Sequence, residues 1–423
     1  MKVTIIPKHA LFGEITVPPS KAQTHRALVA GLLSAGTTKI TNALYCDDTE
    51  ATSNAITTLG AKIERKERDW KVLSEGKPIA PTTAINCGES GVTLRFMIPV
   101  ASLTGSKATF RAKESLMRRP LEPLANAMKQ LHVKLTSGKD YVEIEGDPPK
   151  GGKIHIRGDV SSQFISGLLF AGPSMQNGLR LELTSPLESR SYVSLTLETM
   201  KRHGIEVQTN AEMSVFDIPP GQRYVAAAHS ISGDYSSAAF ALSTGAIANS
   251  KVLVRGLQQS ETEPDAVLLR ILSEMGARIR ILEDGVLVEG GKLRSISINL
   301  RDSPDLGPIL AVLGCYAEGE TRITGAARLR YKESDRLAAI SSELHKLGAD
   351  ISETGEGLII HGPSRLSGGI VSSHGDHRIA MALGVAALGA ASKVVIEGTE
   401  CVSKSYPNFF NDLRLLGVET IVG

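Results

Sequence analysis

Eight cations in this chain cluster in short motifs, most of them where a loop gives way to a helix, and two acids stand among them. The cations are Lys21, Arg26, Arg95, Arg119, Lys332, Arg336, Arg378 and Lys404; the acids are Asp305 and Glu333. The stretch Pro18-Pro19-Ser20-Lys21-Ala22-Gln23-Thr24-His25-Arg26 sets the pattern. Prolines stop a strand-like run, Ser20 is placed to cap a helix, and Lys21 and Arg26 fall in its first turns. A helix start is already partly positive, so cations there add nothing to helix stability. Free backbone N–H groups and two cations at one helix start can instead hold an anion. Taken alone, the same stretch also reads as a solvated helix start with two surface charges.

Further clusters repeat the theme. Gly88-Glu89-Ser90-Gly91-Val92-Thr93-Leu94-Arg95 is a glycine-rich turn into a helix, where backbone can approach an anion closely. It lacks the G-x-x-x-x-G-K-[ST] pattern, which excludes a nucleotide P-loop. Met117-Arg118-Arg119-Pro120 places cations before a helix that should begin at its proline. Asp159-Val160-Ser161-Ser162-Gln163 supplies hydrogen-bonding side chains ahead of an apolar helix. Asp305 lies in Pro304-Asp305-Leu306-Gly307-Pro308, where an N-cap is the plain alternative. On one continuous helix Lys332 and Arg336 would share a face at i,i+4, with Glu333 reaching Arg336 at i,i+3. His374-Gly375-Asp376-His377-Arg378 has a His-x-x-His spacing but neither a second carboxylate nor the H-E-x-x-H frame of a metal site. Lys404 is the lone lysine of a short polar loop, and no serine or cysteine has an evident partner base. Cations gathered in this number call for a small substrate with phosphate and carboxylate groups, leaving Asp305 and Glu333 for proton transfer.

Composition sets the frame. The chain has 423 residues, too many for one core, so two or three domains are expected. A net charge of +2 gives no global field for a polyanion, and 4% aromatic residues leave little stacking surface for single-stranded nucleic acid. Cys46, Cys87, Cys315 and Cys401 show no C-x-x-C spacing and are expected to be buried, reduced thiols. Neither a signal peptide nor a stretch of ~18 apolar residues is evident, so a cytoplasmic protein that does not enter a membrane is expected.

The elements that must position these residues recur six times. An apolar helix end, a stop and a short strand appear at Leu59-Gly60-Ala61, Leu131-His132-Val133, His203-Gly204-Ile205, Met275-Gly276-Ala277, Leu347-Gly348-Ala349 and Leu416-Gly417-Val418. The first five stops are 72 residues apart and the last step is 69. Glycine closes a helix in the left-handed conformation, so His132 should be strained or differently shaped. Each repeat reads as strand–helix–strand–helix–strand–strand. That predicts an α/β (α+β) fold of six pseudo-symmetric βαβαββ units in two similar halves of three, with a cleft between the halves. The N-terminal strand could pair with the C-terminal half, giving one domain from residues 1–20 plus 231–423 and another from 21–230. The opening stretch would then lie at a hinge.

Together these motifs resemble the 5-enolpyruvylshikimate-3-phosphate synthase family of enolpyruvyl transferases over essentially the whole chain. The resemblance rests on Ser20-Lys21 with Arg26, the Gly88–Arg95 turn, Arg119-Pro120, Ser161-Ser162-Gln163, Pro304-Asp305, Lys332-Glu333-Ser334-Asp335-Arg336, Asp376-His377-Arg378 and Lys404. It implies a clamp of two three-unit domains, with the active site in the interdomain cleft. It also implies transfer of the enolpyruvyl group of phosphoenolpyruvate to the 5-hydroxyl of shikimate-3-phosphate, through a tetrahedral intermediate that loses phosphate. Shikimate-3-phosphate contacts would be Lys21, Arg26, Ser161, Ser162, Gln163, Ser189, Asp305 and Lys332. Those to phosphoenolpyruvate would be Lys21, Gly91, Arg119, Gln163, Arg336, Arg378 and Lys404. Asp305 would be the base on the hydroxyl, and Glu333 would exchange the proton at C3, helped by Lys21 or Lys404. The resemblance implies no cofactor and no metal, two small-molecule partners, no nucleic acid or membrane, and a monomer.

The sequence departs from the family's pattern at Ala22, where a second serine is usual, and at Glu89 and Val92, where Asn and Thr are usual. Ala22 removes one hydroxyl contact; Glu89 puts an acid near an anion site and could pair with Arg95. The sibling transferase acting on a UDP-amino sugar carries a cysteine in the loop before Arg-Pro; here that loop reads Glu114-Ser115-Leu116-Met117-Arg118. A non-catalytic repeat scaffold, or a protein binding RNA ends, is disfavoured by the low aromatic content and by the Asp305 and Glu333 pair.

Overall fold

A computed structural model describes residues 1–247, 249–258 and 263–423. Among them the chain forms two compact units, Met1–Pro18 with Ser232–Gly423, and Pro19–Ile231. Each has its own hydrophobic core, and each holds three small sheets.

The sheets share one plan. In the Pro19–Ile231 unit, strands Ile85–Gly88, Ala108–Ala112, Tyr141–Glu145 and Lys134–Ser137 lie side by side in that order. The first pair is parallel and the rest antiparallel. A parallel pair needs a crossover, and a helix supplies it. Six such helices are labelled here α1 (Lys21–Leu33), α2 (Gly91–Ser102), α3 (Ser162–Ala171), α4 (Tyr235–Ala246), α5 (Gly307–Tyr316) and α6 (His377–Ala386). They are apolar nearly all round, as in Gly307-Pro308-Ile309-Leu310-Ala311-Val312-Leu313-Gly314-Cys315, and are buried along most of their length. A helix of that composition belongs in a core. The second helix of each repeat, such as Glu122–Gln130, is half exposed and covers the outside. All four cysteines are free and buried.

Five repeats end their second helix on glycine with positive φ, from 79° at Gly204 to 105° at Gly60 and Gly276. His132 takes the same left-handed conformation at φ 60°, so the turn keeps its shape and a residue with a Cβ carries the strain.

Three repeats borrow strands across the sequence. Lys2–Ile5 pairs with Val394–Glu397 and with Thr420–Val422, completing the last repeat's sheet. Phe12–Thr16 lies parallel to Lys251–Arg255 and serves as the first strand before α4. In the other unit Tyr224–Val225 and Ala228–Ser230 lie parallel to Ser34–Thr41 and stand before α1. The chain therefore passes between units in two places, after Pro18 and after Ile231, each between a repeat's first strand and first helix.

Two local expectations need correction. The helix after Arg119 begins at Glu122 rather than Pro120, because Arg118 to Leu121 form a turn after the short helix Glu114–Met117. Lys332 and Arg336 do not share a helix. Lys332 is an extended residue closing the 3-10 turn Ala327–Tyr331, and the helix Arg336–Lys346 starts only after its cap, Asp335.

Close packing of α2 on α3 gives a direct test. A Cβ at Gly167 would lie 2.5 Å from the Arg95 carbonyl oxygen and 3.1 Å from the Phe96 Cα. Both obstacles are backbone, so Gly167→Ala should cost about 1–3 kcal/mol in chemical denaturation. An unchanged midpoint would show that the two helices can separate freely.

Candidate functional site

Within the Met1–Pro18 and Ser232–Gly423 unit, α4, α5 and α6 pack together with like ends adjacent. At one end Arg378, in the first turn of α6, donates through Nη1 to the main-chain oxygen of Ser236 in α4 (3.3 Å). Its Nη2 lies 3.1 Å from Asp305 Oδ2, in the turn that opens α5. At the other end the Tyr316 hydroxyl donates to the Ala386 carbonyl (2.5 Å). The three helices therefore run the same way and bring their positive N-terminal ends together. Asp234 and Asp376 cap α4 and α6. Asp305 does not cap α5; its carboxylate turns to cations.

Arg336 is the hub of this cluster. Its side chain is 1% exposed and donates to three carboxylates. Nε meets Asp376 Oδ2 at 2.7 Å, Nη1 meets Asp305 Oδ1 at 2.8 Å, and Nη2 meets Glu333 Oε2 at 2.7 Å. Lys332 Nζ is 3.2 Å from the same Asp305 oxygen. Lys404 donates to the Gly375 carbonyl at 3.0 Å, beside Asp376. The sequence placed the Glu333–Arg336 pair correctly; Asp376 as Arg336's main partner was missed, although it stood in a quoted motif.

Electrostatics follow from this geometry. Burial alone would raise the Asp305 carboxyl, but Arg378, Lys332 and Arg336 outweigh it and hold it well below the usual carboxylate range. Burial lowers the Lys332 ammonium, and its pairing with Asp305 only partly offsets that. Burial acts against the Arg336 cation too, yet Asp376, Glu333 and Asp305 hold it firmly charged.

The Pro19–Ile231 unit carries the second cluster. Ser20 caps α1, accepting from Gln23 N at 3.3 Å. Lys21 Nζ pairs with Asp48 Oδ2 at 2.7 Å, and Asp48 is a partner the sequence did not single out. Arg26 is buried and held by α1 and the helix Arg190–Arg202. Its Nε donates to Thr196 Oγ1 (2.8 Å), Nη1 to the Ala22 carbonyl (2.9 Å) and Nη2 to the Tyr192 carbonyl (2.7 Å). Ser161 caps α3 and accepts from Gln163 N at 3.3 Å, so Ser162 and Gln163 belong to the first turn. Arg95 donates to Gln163 Oε1 at 2.8 Å and lies over the Phe164 ring, 5.2 Å from its centroid.

Gly91 opens α2 beneath two guanidinium groups. A Cβ there would lie 3.4 Å from Arg119 Nη1, 3.5 Å from Arg95 Nη1 and 3.6 Å from Gln163 Oε1. Backbone and cations thus face one small space at a helix start. Ser189, buried and at φ 56°, precedes the helix Arg190–Arg202. His25 is buried with Nδ1 2.7 Å from Thr52 Oγ1, and burial keeps it well below its usual range, with Lys21 and Arg26 adding to the effect. The departures have plain surroundings. Ala22 offers Arg26 its carbonyl, and Val92 packs against the core. Glu89 accepts from Ser115 at 2.7 Å and lies 3.8 Å from Lys113.

Among the described residues no group of three or more His, Cys, Asp or Glu side chains is placed to hold a metal ion, and no helix is long and apolar enough to cross a membrane.

Among the described residues, six βαβαββ repeats with cations and carboxylates gathered at the starts of their first helices define the class as an α/β protein of two three-repeat units. Comparison with known proteins gives the family. Residues 5–413 match the profile of EPSP synthase (3-phosphoshikimate 1-carboxyvinyltransferase). A 3-phosphoshikimate 1-carboxyvinyltransferase of Clostridium kluyveri is 40% identical over 99% of this chain and 98% of its own length. One from Methanocorpusculum labreanum is 39% identical over 98% of both chains. The solved EPSP synthase of Acinetobacter baumannii superposes with a TM-score of 0.82 at 28% identity, covering 100% of both chains. The chain belongs to the EPSP synthase family, transferases that move the enolpyruvyl group of phosphoenolpyruvate to shikimate-3-phosphate on the route to the aromatic amino acids.

Arg336 supplies the test of this cluster. Arg336→Ala would leave Asp376, with a side chain fully shielded from solvent, without its main cation. Breaking such a buried pair from one side typically costs about 3–5 kcal/mol. Urea unfolding should show a loss of that size; a loss below about 1 kcal/mol would mean that the carboxylates find other partners.

Proposed function

We propose that this chain performs the family reaction with the residues assigned above. The observation that carries the reading is Asp305, one part-buried carboxylate that gathers three cations, Lys332, Arg336 and Arg378. Lys21, Arg26, Ser161, Ser162, Gln163, Ser189, Asp305 and Lys332 would take shikimate-3-phosphate. Lys21, Gly91, Arg119, Gln163, Arg336, Arg378 and Lys404 would take phosphoenolpyruvate.

The chemistry divides between the two acids. Asp305 takes the proton of the 5-hydroxyl as its oxygen attacks C2 of the enol. Glu333, held by Arg336, delivers the proton that C3 gains, and Lys21 or Lys404 assists. Glu333 then takes a proton back from C3, re-forming the enol double bond, while Asp305 returns its proton as phosphate leaves the tetrahedral intermediate. In the free protein the cations make Asp305 a weak base. Phosphate and carboxylate groups that draw on Lys332, Arg336 and Arg378 offset those charges, so Asp305 gains proton affinity when both substrates are in place. The same cations hold two mutually repelling anions together and stabilise charge that develops between them. The protein would act as a monomer in the cytoplasm, with its domains at 1–20 plus 231–423 and 21–230, and without cofactor or metal.

Phosphate release from phosphoenolpyruvate and shikimate-3-phosphate, without added metal, tests the reading. A parallel reaction with the UDP-amino sugar should stay silent. Glu333→Gln should cut turnover by about 10²-fold or more while both substrates still bind, as loss of a proton-transfer group does. Full turnover in that variant would remove Glu333 from the mechanism. Arg378→Ala should weaken phosphoenolpyruvate binding by about 1.5–3 kcal/mol, read as a higher KM. An unchanged KM would free Arg378 from that role.

A further inference from the structure

Asp265 lies outside the residues assigned so far, yet it adjoins them. It is 2% exposed and sits just before the helix Val267–Glu274. Its backbone is left-handed, φ 65°, which a side-chain-bearing residue adopts only where its surroundings enforce it. Its Oδ2 accepts a short hydrogen bond from the Ser236 hydroxyl. Ser236 in turn offers its main-chain oxygen to Arg378 Nη1 at 3.3 Å, and Arg378 Nη2 reaches Asp305 at 3.1 Å. The order Asp265, Ser236, Arg378, Asp305 is thus one connected line through three helix starts.

We propose that Asp265 is a positioning residue for the carboxyvinyl transfer, fixing Arg378 through Ser236 and using its own negative charge to keep Asp305 a competent base. The inference rests on Asp305 acting as the base. Asp265 and Asp305 repel each other, and each is drawn to Arg378. The groups facing Asp265 are Ser236 and Asp234 of α4 and its cap, Asp305 ahead of α5, and Arg378 of α6. Those facing Asp305 are Arg378, Lys332, Arg336 and Glu333. Burial, and then Asp305, raise the Asp265 carboxyl to about 6, against the pull of Arg378. Above that pH Asp265 is charged, and a like charge nearby makes Asp305 hold a proton more readily. Below it Asp265 is neutral, and Asp305 keeps only Glu333 against its three cations.

Asp265→Asn tests this, because asparagine tolerates the left-handed backbone and can still accept from Ser236. The variant should turn over at all pH values as the parent does below pH 6, losing about tenfold at pH 8 and lacking the parent's rise near pH 6. Substrate phosphates titrate in the same range in both enzymes, so the difference between the two profiles is the readout. A profile and kcat that superpose on the parent's overturn the proposal. Ser236→Ala keeps the charge and removes the link, so it should raise KM for phosphoenolpyruvate several-fold and keep the rise near pH 6. An unchanged KM overturns the positioning of Arg378, even where Asp265→Asn fails to fold. Asp305→Asn separates the two readings. Full turnover there defeats Asp305 as base; an inactive Asp305→Asn beside a parent-like Asp265→Asn defeats only the role of Asp265.

Discussion

The buried guanidinium of Arg336 is the interaction on which the Met1–Pro18 and Ser232–Gly423 unit depends. A charged side chain 1% exposed is costly unless its donors are all met, and here carboxylates meet them. Two of those, Asp305 and Glu333, come from its own repeat, and Asp376 comes from the next. The pairing therefore ties one repeat to its neighbour while placing both proton-transfer candidates on one cation. It also explains the otherwise odd choice of an arginine as the first residue of a helix. Arg336 adds nothing to helix capping, which Asp335 supplies, and instead turns all three nitrogens to acids.

The six-fold repeat gives this arrangement its economy. Each crossover helix is apolar enough to be buried whole, so its start is the one place where polar groups can gather without entering the core. In one unit, α4, α5 and α6 run the same way, and their starts carry Asp234, Asp305 and Asp376 with Arg378. In the other, α1, α2 and α3 start at Lys21, Gly91 and Ser162. The helix-end potential favours anions at every one of these starts. At Asp305 the protein itself supplies an anion, whose carboxylate meets three cations. Above Gly91, guanidinium groups of Arg95 and Arg119 lie close to the helix start.

Charge balance, more than charge number, distinguishes the two clusters. Arg26 already spends its donors on Thr196, Ala22 and Tyr192, which makes it a rigid wall of its cluster. Lys21, by contrast, pairs through its flexible stem with the carboxylate of Asp48. Lys332 is part-buried, and burial lowers its ammonium against the pull of Asp305. Residues of one charge therefore differ in what binding would ask of them.

Much of this was present in the order of residues. Period and stop signals gave six units, because a helix that ends in the left-handed region marks itself with glycine, and His132 departed where a strained residue now stands. Several cations were legible because they lie in short motifs where a proline, glycine or serine announces a helix start, as at Ser20-Lys21 and in the Gly88–Arg95 turn. Partnerships were less legible. Lys332 and Arg336 looked like neighbours on a helix, but Asp335 caps that helix and sends Lys332 to Asp305 from an extended backbone. Asp48, Asp376 and Asp265 carry no local signal of their roles, since a lone aspartate before or within a helix reads as a cap or a solvated acid. Sequence alone determined the repeat, the family and the kinds of residue at each helix start, because these depend on local propensity and spacing. Only the tertiary structure decided which acid faces which cation, because the ion pairs with Asp48, Asp305 and Asp376 join residues 27 to 73 positions apart and depend on how elements pack within a repeat and between neighbouring repeats.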